Sequence, residues 1–271
     1  MRNRGLLFLS LLLCCTGLVQ AQSWELQDSL KIGEVRAFAE DLTGKIYLGT
    51  AAGAVWQLSA AAEVTGRYVP GLPSPVRAID ASKGTQVLVH YGDLQQYALL
   101  DRFMAEASEE PNWVPQSEGI VNLLCPASDG MLWLVNQSRY SLMKYDVFSR
   151  MVLQERFLGG VDQDTIANRF VAMMEYKGRL LLATQNEGLW VFDLTGAYLG
   201  KREIAGDWQA MGLEQVVSRR EGRFFVQPLF EGEAQPVFLP AKAGKPDGIW
   251  MQGRLLLCWH HGYLYRFHKK G

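Results

Sequence analysis

A glycine returns at or just ahead of a short apolar run six times along this chain, and that recurrence constrains the fold more than any other feature. The six are Gly44 in TGKIYLGT, Gly84 in KGTQVLVH, Gly130 in DGMLWLV, Gly178 in KGRLLLAT, Gly222 in EGRFFVQ and Gly253 in QGRLLLCW. Glycine suits these places because a tight turn between antiparallel strands commonly needs a residue at positive φ. A second turn follows each run at a similar distance: AAG (Ala51 to Gly53), YGD (Tyr91 to Asp93), QSRY (Gln137 to Tyr140), NEG (Asn186 to Gly188), EGE (Glu231 to Glu233) and HHG (His260 to Gly262). Another strand-like run comes next each time, and a further one lies upstream of each glycine, as in VRAFAED, VRAIDAS and LEQVVSR. No long stretch shows a helical apolar period, so the chain reads as all-β with many short strands.

Each unit holds three clear strands and a looser fourth, such as TGRYVP or YLGKREI, in roughly 40 residues, the period of a four-stranded propeller blade. The ends agree with that reading. The last unit stops one strand short at His268-Lys269-Lys270-Gly271, while SWELQDSLKI near the start has no unit of its own. Pairing that orphan with the last unit closes the ring and hides strand edges that would otherwise invite aggregation. The expected fold is an all-β, six-bladed β-propeller whose last blade is completed by the N-terminal strand. Its blades start near residues 35, 76, 121, 170, 211 and 248 of a single domain, 22–271. A β-helix would need shorter coils, and a sandwich would not explain six matching turn pairs.

Residues 1–21 read as an address. Arg2 and Arg4 form a positive start, Leu6 to Val19 is an almost unbroken apolar run, and Val19-Gln20-Ala21 supplies small residues at a cleavage site. These are the parts of a secretory signal peptide, and the run is short for a membrane span. The expected location is therefore periplasmic or extracellular, with no transmembrane segment after cleavage. The alternative is a lipoprotein acylated at Cys15, although Cys14 stands where a small Gly, Ala or Ser is expected. Of four cysteines, only Cys125 and Cys258 remain after cleavage, each inside an apolar strand-like run. They read as buried small hydrophobes more readily than as a disulfide.

The repeat DLTGKIYLGTAAGAVWQLS (Asp41 to Ser59) resembles that of two-component-regulator-type sensor propellers. A D-x-x-G turn leads into an aromatic-aliphatic strand, then Gly-Thr, a short turn and a second strand. SDGMLWLVNQSRYSLMKYD and GRLLLATQNEGLWVFDLTG resemble it in the third and fourth units. The resemblance implies the propeller fold and a binding habit.

Catalytic and metal constellations are not evident in the sequence. His90, His260, His261 and His268 form no HExxH or H-x-H pattern, and adjacent side chains on a strand point to opposite faces. Asp162-Gln163-Asp164 lacks the rest of a calcium loop. No G-x-S-x-G, P-loop or G-x-G-x-x-G occurs, so no cofactor is expected. Lys+Arg 27 against Asp+Glu 28 gives a net charge of −1, which offers no general attraction to nucleic acid.

What remains is surface. In a propeller the second-to-third-strand turns and the blade connections share one face, around the mouth of the central channel, and loops on a rigid frame are where binding commonly resides. That face is expected to carry Tyr91, Asp93, Arg139, Asn186, Glu187, His260 and His261 from turns, with Trp113, Asp162, Asp164 and Trp208 from connections. Trp56, Trp133 and Trp190 read as core between blades. Three functions are consistent with the sequence. The favoured one is an exported, non-enzymatic module binding another envelope or secreted protein. The others are a small-ligand or glycan-binding propeller and, least favoured, a hydrolase or lyase with an unrecognised site.

Overall fold

The computed structural model describes residues 24–108, 112–115, 119–158 and 170–270. The orphan strand, β1 (Trp24–Lys31), is followed by five complete blades and the three strands it joins. Blade one is β2 (Val35–Glu40), β3 (Ile46–Thr50), β4 (Val55–Leu58) and β5 (Val64–Tyr68). Blade two is β6 (Ala78–Asp80), β7 (Val87–Tyr91), β8 (Gln96–Leu100) and the two-residue β9 (Asn112–Trp113). Blade three runs β10 (Val121–Pro126), β11 (Leu132–Asn136), β12 (Ser141–Asp146), β13 (Met151–Phe157), and blade four β14 (Phe170–Tyr176), β15 (Arg179–Thr184), β16 (Leu189–Phe192), β17 (Tyr198–Arg202). Blade five is β18 (Asp207–Met211), β19 (Gln215–Arg220), β20 (Arg223–Pro228) and β21 (Gln235–Val237). Blade six is β22 (Gly248–Gln252), β23 (Leu255–His260), β24 (Tyr263–Lys269) and, outermost, β1. The fold is an all-β, six-bladed propeller with the ring closed as the sequence implies.

The closing strand is held over its whole length. It pairs antiparallel with β24 from Trp24 opposite Lys269 to Lys31 opposite Tyr263, with a bulge between Leu26 and Asp28. Arg266 on β24 binds the Asp28 carboxylate and also donates to the Ala62 carbonyl at 2.7 Å, which ties blade six to blade one. The D-x-x-G turn has a physical basis in Asp41. Its Oδ1 accepts from the Thr43 amide at 2.8 Å, the Thr43 hydroxyl at 2.7 Å and the Lys45 amide at 3.0 Å. Its Oδ2 accepts from the Tyr47 hydroxyl at 3.0 Å, and Gly44 takes φ +77° to close the bend.

The core lies between blades. Trp133, Trp190 and Trp250 are among the largest fully buried side chains, whereas Trp56 is half-buried with its indole N–H donating to the Ile32 carbonyl. Cys125 and Cys258 are both buried and unpaired. Burial pushes the Cys125 thiol well up and that of Cys258 up to about 12. Among the described residues no helix is long and apolar enough to cross a membrane.

Blade five departs from the sequence reading by one strand. The innermost strand is Asp207–Met211, so LEQVVSR supplies the second strand instead of the first. The first turn then centres on Gly212, whose amide donates to the Gln215 carbonyl at 2.9 Å. Glu221-Gly222 becomes the second-to-third-strand turn, and EGE (Glu231 to Glu233) moves to the third-to-fourth turn on the other face.

Candidate functional site

Blade connections run beside the second-to-third-strand turns, which places both on one face. The Val76 amide donates to the Thr50 carbonyl at 3.1 Å, the Trp208 amide to Gln185 at 3.0 Å, and the Asp247 amide to Trp259 at 2.9 Å. Tyr91 serves this architecture. It is buried, and its hydroxyl donates to the Gly53 carbonyl at 3.0 Å, so it locks blade two to the turn of blade one.

Five of the other expected residues stand on that face with accessible groups. Asp93 is exposed on the 3-10 turn Gly92–Leu94. Arg139 is exposed on the turn after Asn136, and its guanidinium pairs with Glu155 at 3.2 Å. Asn186 is exposed and Glu187 half-buried, its amide donating to the Thr184 hydroxyl at 3.1 Å. His261 is exposed at φ +51°, on a two-residue turn with Gly262 at φ +79°. His260 is half-buried, stacked on Tyr265 with ring centres 4.6 Å apart, and both its ring nitrogens are buried without a hydrogen bond. These residues are spread around the ring and do not converge on one point.

The two tryptophans expected on the connections are placed differently. Trp208 lies in innermost strand β18, only 9% exposed, and lines the channel. Its neighbours Asp207 and Gln209 give the segment a loop-like polarity, yet a short inner strand needs only alternate apolar positions. Trp113 belongs to outermost strand β9, opposite Gln96, and is 54% exposed. Its indole lines a cleft of 930 Å³ between blades two and three, on the flank of the ring. Asp162 and Asp164 lie outside the described residues.

Among the described residues, the face carries a concave site over blades two to four. A pocket of 420 Å³ is lined by Arg77, Asp93, Gln95, Asn122, Gln137 and Gln185, with Ile120 as an apolar neighbour. Its floor is fixed. Arg77 donates to Asn122 Oδ1 at 3.2 Å and to the Phe170 carbonyl at 3.1 Å, joining three blades. Gln95 donates to the Gly92 and Val121 carbonyls at 2.7 and 2.9 Å and accepts from the Val121 amide at 2.9 Å. Sequence reasoning passed over Arg77, Gln95 and Asn122. The recurrence of an arginine inside two apolar runs, VRAFAED and VRAIDAS, is the signal that marks Arg77.

Beneath this floor the central channel encloses 210 Å³ between the inner strands of blades one, two, four and five. Its far end is tied by charge. Lys83 of blade two reaches Glu175 of blade four at 2.9 Å, and the same carboxylate accepts from the Ser128 amide at 2.6 Å and the Trp133 indole at 2.8 Å. Burial pushes the Glu175 carboxyl up, but hydrogen bonds from Lys83, Trp133 and Ser128 outweigh it and hold the group below its usual range. Asp80 is pushed up to about 6 by burial, with only Oδ1 satisfied by the Ser82 amide and hydroxyl. His90 is pushed down to about 3 by burial and by Arg77, which keeps the imidazole neutral. Polar ties therefore stand at both ends of the channel, Arg77 at the mouth and Lys83 with Glu175 at the far end. Among the described residues no group of three or more His, Cys, Asp or Glu side chains is arranged to hold a metal ion.

No protein-family model matches the chain, and no curated protein matches it in sequence. Solved structures match it in fold. Virginiamycin B lyase from Staphylococcus aureus superposes with TM-score 0.59 at 10% identity, over 91% of this chain and 99% of the lyase. The WD40 domain of Neurospora crassa Pan2 gives 0.57 at 10% identity, over 92% and 96%. The β-propeller domain of Cps50 (Swd1) from Myceliophteria thermophila gives 0.59 at 9%, over 92% and 100%. Likeness at this identity establishes the propeller and nothing finer; it identifies no family, that of the sensor propellers included.

Proposed function

We propose that this chain is an exported, non-enzymatic β-propeller that acts as a protein-binding or scaffold module in the cell envelope, its partner another envelope or secreted protein. The observation that carries this reading is the flank cleft between blades two and three. Leu99, Trp113, Pro115, Met131 and Val147 line it, and Phe148 stands at its edge 91% exposed. Lys83, Gln86 and Arg150 supply a polar border. An aromatic and aliphatic centre inside a polar rim is the composition of a protein-recognition surface, and single aromatic anchors commonly dominate its binding energy. Next to the cleft, β13 exposes Met151, Leu153 and Phe157 along an outer strand, which extends the apolar patch.

A photo-crosslinking amino acid placed at Trp113 or Phe148 in the native host tests the reading. A discrete protein adduct at both positions, and none at Phe238 on blade five, is expected. No adduct, or one pattern at all three positions, contradicts it. Export rests on the Arg2 to Ala21 pattern and is tested by sequencing the N-terminus of the fractionated protein. A start at Gln22 in the envelope fraction supports it, and an intact leader in the cytoplasm overturns it.

A further inference from the structure

The geometry points to a second binding site, independent of the flank: the mouth pocket over blades two to four takes a neutral saccharide. Three observations converge. First, the floor is preorganised, because Arg77, Gln95 and Asn122 are already bound to the backbone or to one another and need no ordering when a ligand arrives. Second, the rim is polar and free. Among the described residues the side chains of Asp93, Gln137 and Gln185 make no hydrogen bond, though all three line the pocket. Third, Ile120 offers an exposed apolar surface beside them.

The chemistry of these groups selects the ligand class. A carboxamide presents both donors and an acceptor, and a carboxylate only acceptors. Sugar hydroxyls both donate and accept, so adjacent hydroxyls can satisfy Gln137, Gln185 and Asp93 together. The C–H face of a pyranose ring can rest on Ile120. An anion would meet the Asp93 carboxylate, while the Arg77 guanidinium is engaged with Asn122 and the Phe170 carbonyl. A divalent cation would find a single carboxylate. The volume of 420 Å³ falls in the ordinary range for small-molecule sites.

Saturation-transfer NMR on the mature protein with maltotriose, cellotriose and triacetylchitotriose as probes tests the proposal. At least one probe should receive saturation, and the double variant D93A/Q185A should weaken its binding by roughly tenfold or more. Both side chains are exposed and unbonded, so the variant keeps the fold; Q137A provides a second rim variant. Trp113→Ala on the flank should leave saccharide binding unchanged, which separates this site from the protein-docking surface. The proposal is overturned by no transfer from any probe at millimolar concentration. Equal transfer in the double variant and the parent overturns it as well.

Discussion

Asp80 is a buried carboxylate whose charge is only partly compensated. Its Oδ2 is buried without a partner, and its carboxyl sits at about 6 against an ordinary 3.8. A folded value above the unfolded one means the folded state holds its proton more tightly. Stability from this group is therefore complete below about pH 4 and lost as pH rises through about 6. Replacing the carboxylate with the amide in Asp80→Asn keeps the acceptor for Ser82 and removes the ionisation. The variant should be more stable than the parent by about 1–3 kcal/mol at pH 7.5, with the difference vanishing near pH 4. Thermal melts across that range check the sign, and a gap that persists in acid contradicts it. The thiols give a second residue-scale expectation. Cys125 and Cys258 are buried with thiols pushed up, so neither should react with a disulfide reagent in the native protein. Both should titrate after unfolding without reductant; a native disulfide would leave none.

At the scale of the strand, blade five separates what the sequence makes legible from what it does not. Blade count was readable because strand alternation and turn glycines repeat. The register of one blade was not, because a two-residue turn does not say which pair of strands it joins. Lys177-Gly178 connects the first and second strands of blade four, whereas Glu221-Gly222 connects the second and third of blade five, and both pairs take positive φ. The short interval between Gly222 and Gly253 was the trace of this shift. Substitution distinguishes the registers. A Cβ on Gly212 would clash with Glu40 Oε2 and the Trp250 ring, while one on Gly222 meets nothing within 4 Å. Gly212→Ala should cost about 1–3 kcal/mol through overpacking. Gly222→Ala should cost about 1 kcal/mol, from its φ of +77° alone. Denaturant melts giving equal losses, or the reverse order, would contradict the assigned turns. The candidate site shows the same limit: Arg77 meets Phe170 from a different blade, a contact no local pattern announces.

For the whole molecule the consequence is a ring held by non-local ties. Arg77 and Lys83 each bridge blade two to blade four, Glu40 accepts from Leu213 of blade five and Gln252 of blade six, and β1 closes the circle. A ring tied in this way fixes the mouth pocket and the flank cleft relative to the blades that line them, as the two proposed binding sites require. Everything in that account depends on closure between the chain's first described strand and its last blade. Amide hydrogen exchange measures it directly, comparing the full chain with one lacking residues 24–31. Amides along Tyr263–Lys269 should lose protection in the shortened chain before those of blade three, whose outer strand is local in sequence. Equal protection of Tyr263–Lys269 in both chains would mean that β1 does not complete blade six, and the closed six-bladed ring would be wrong.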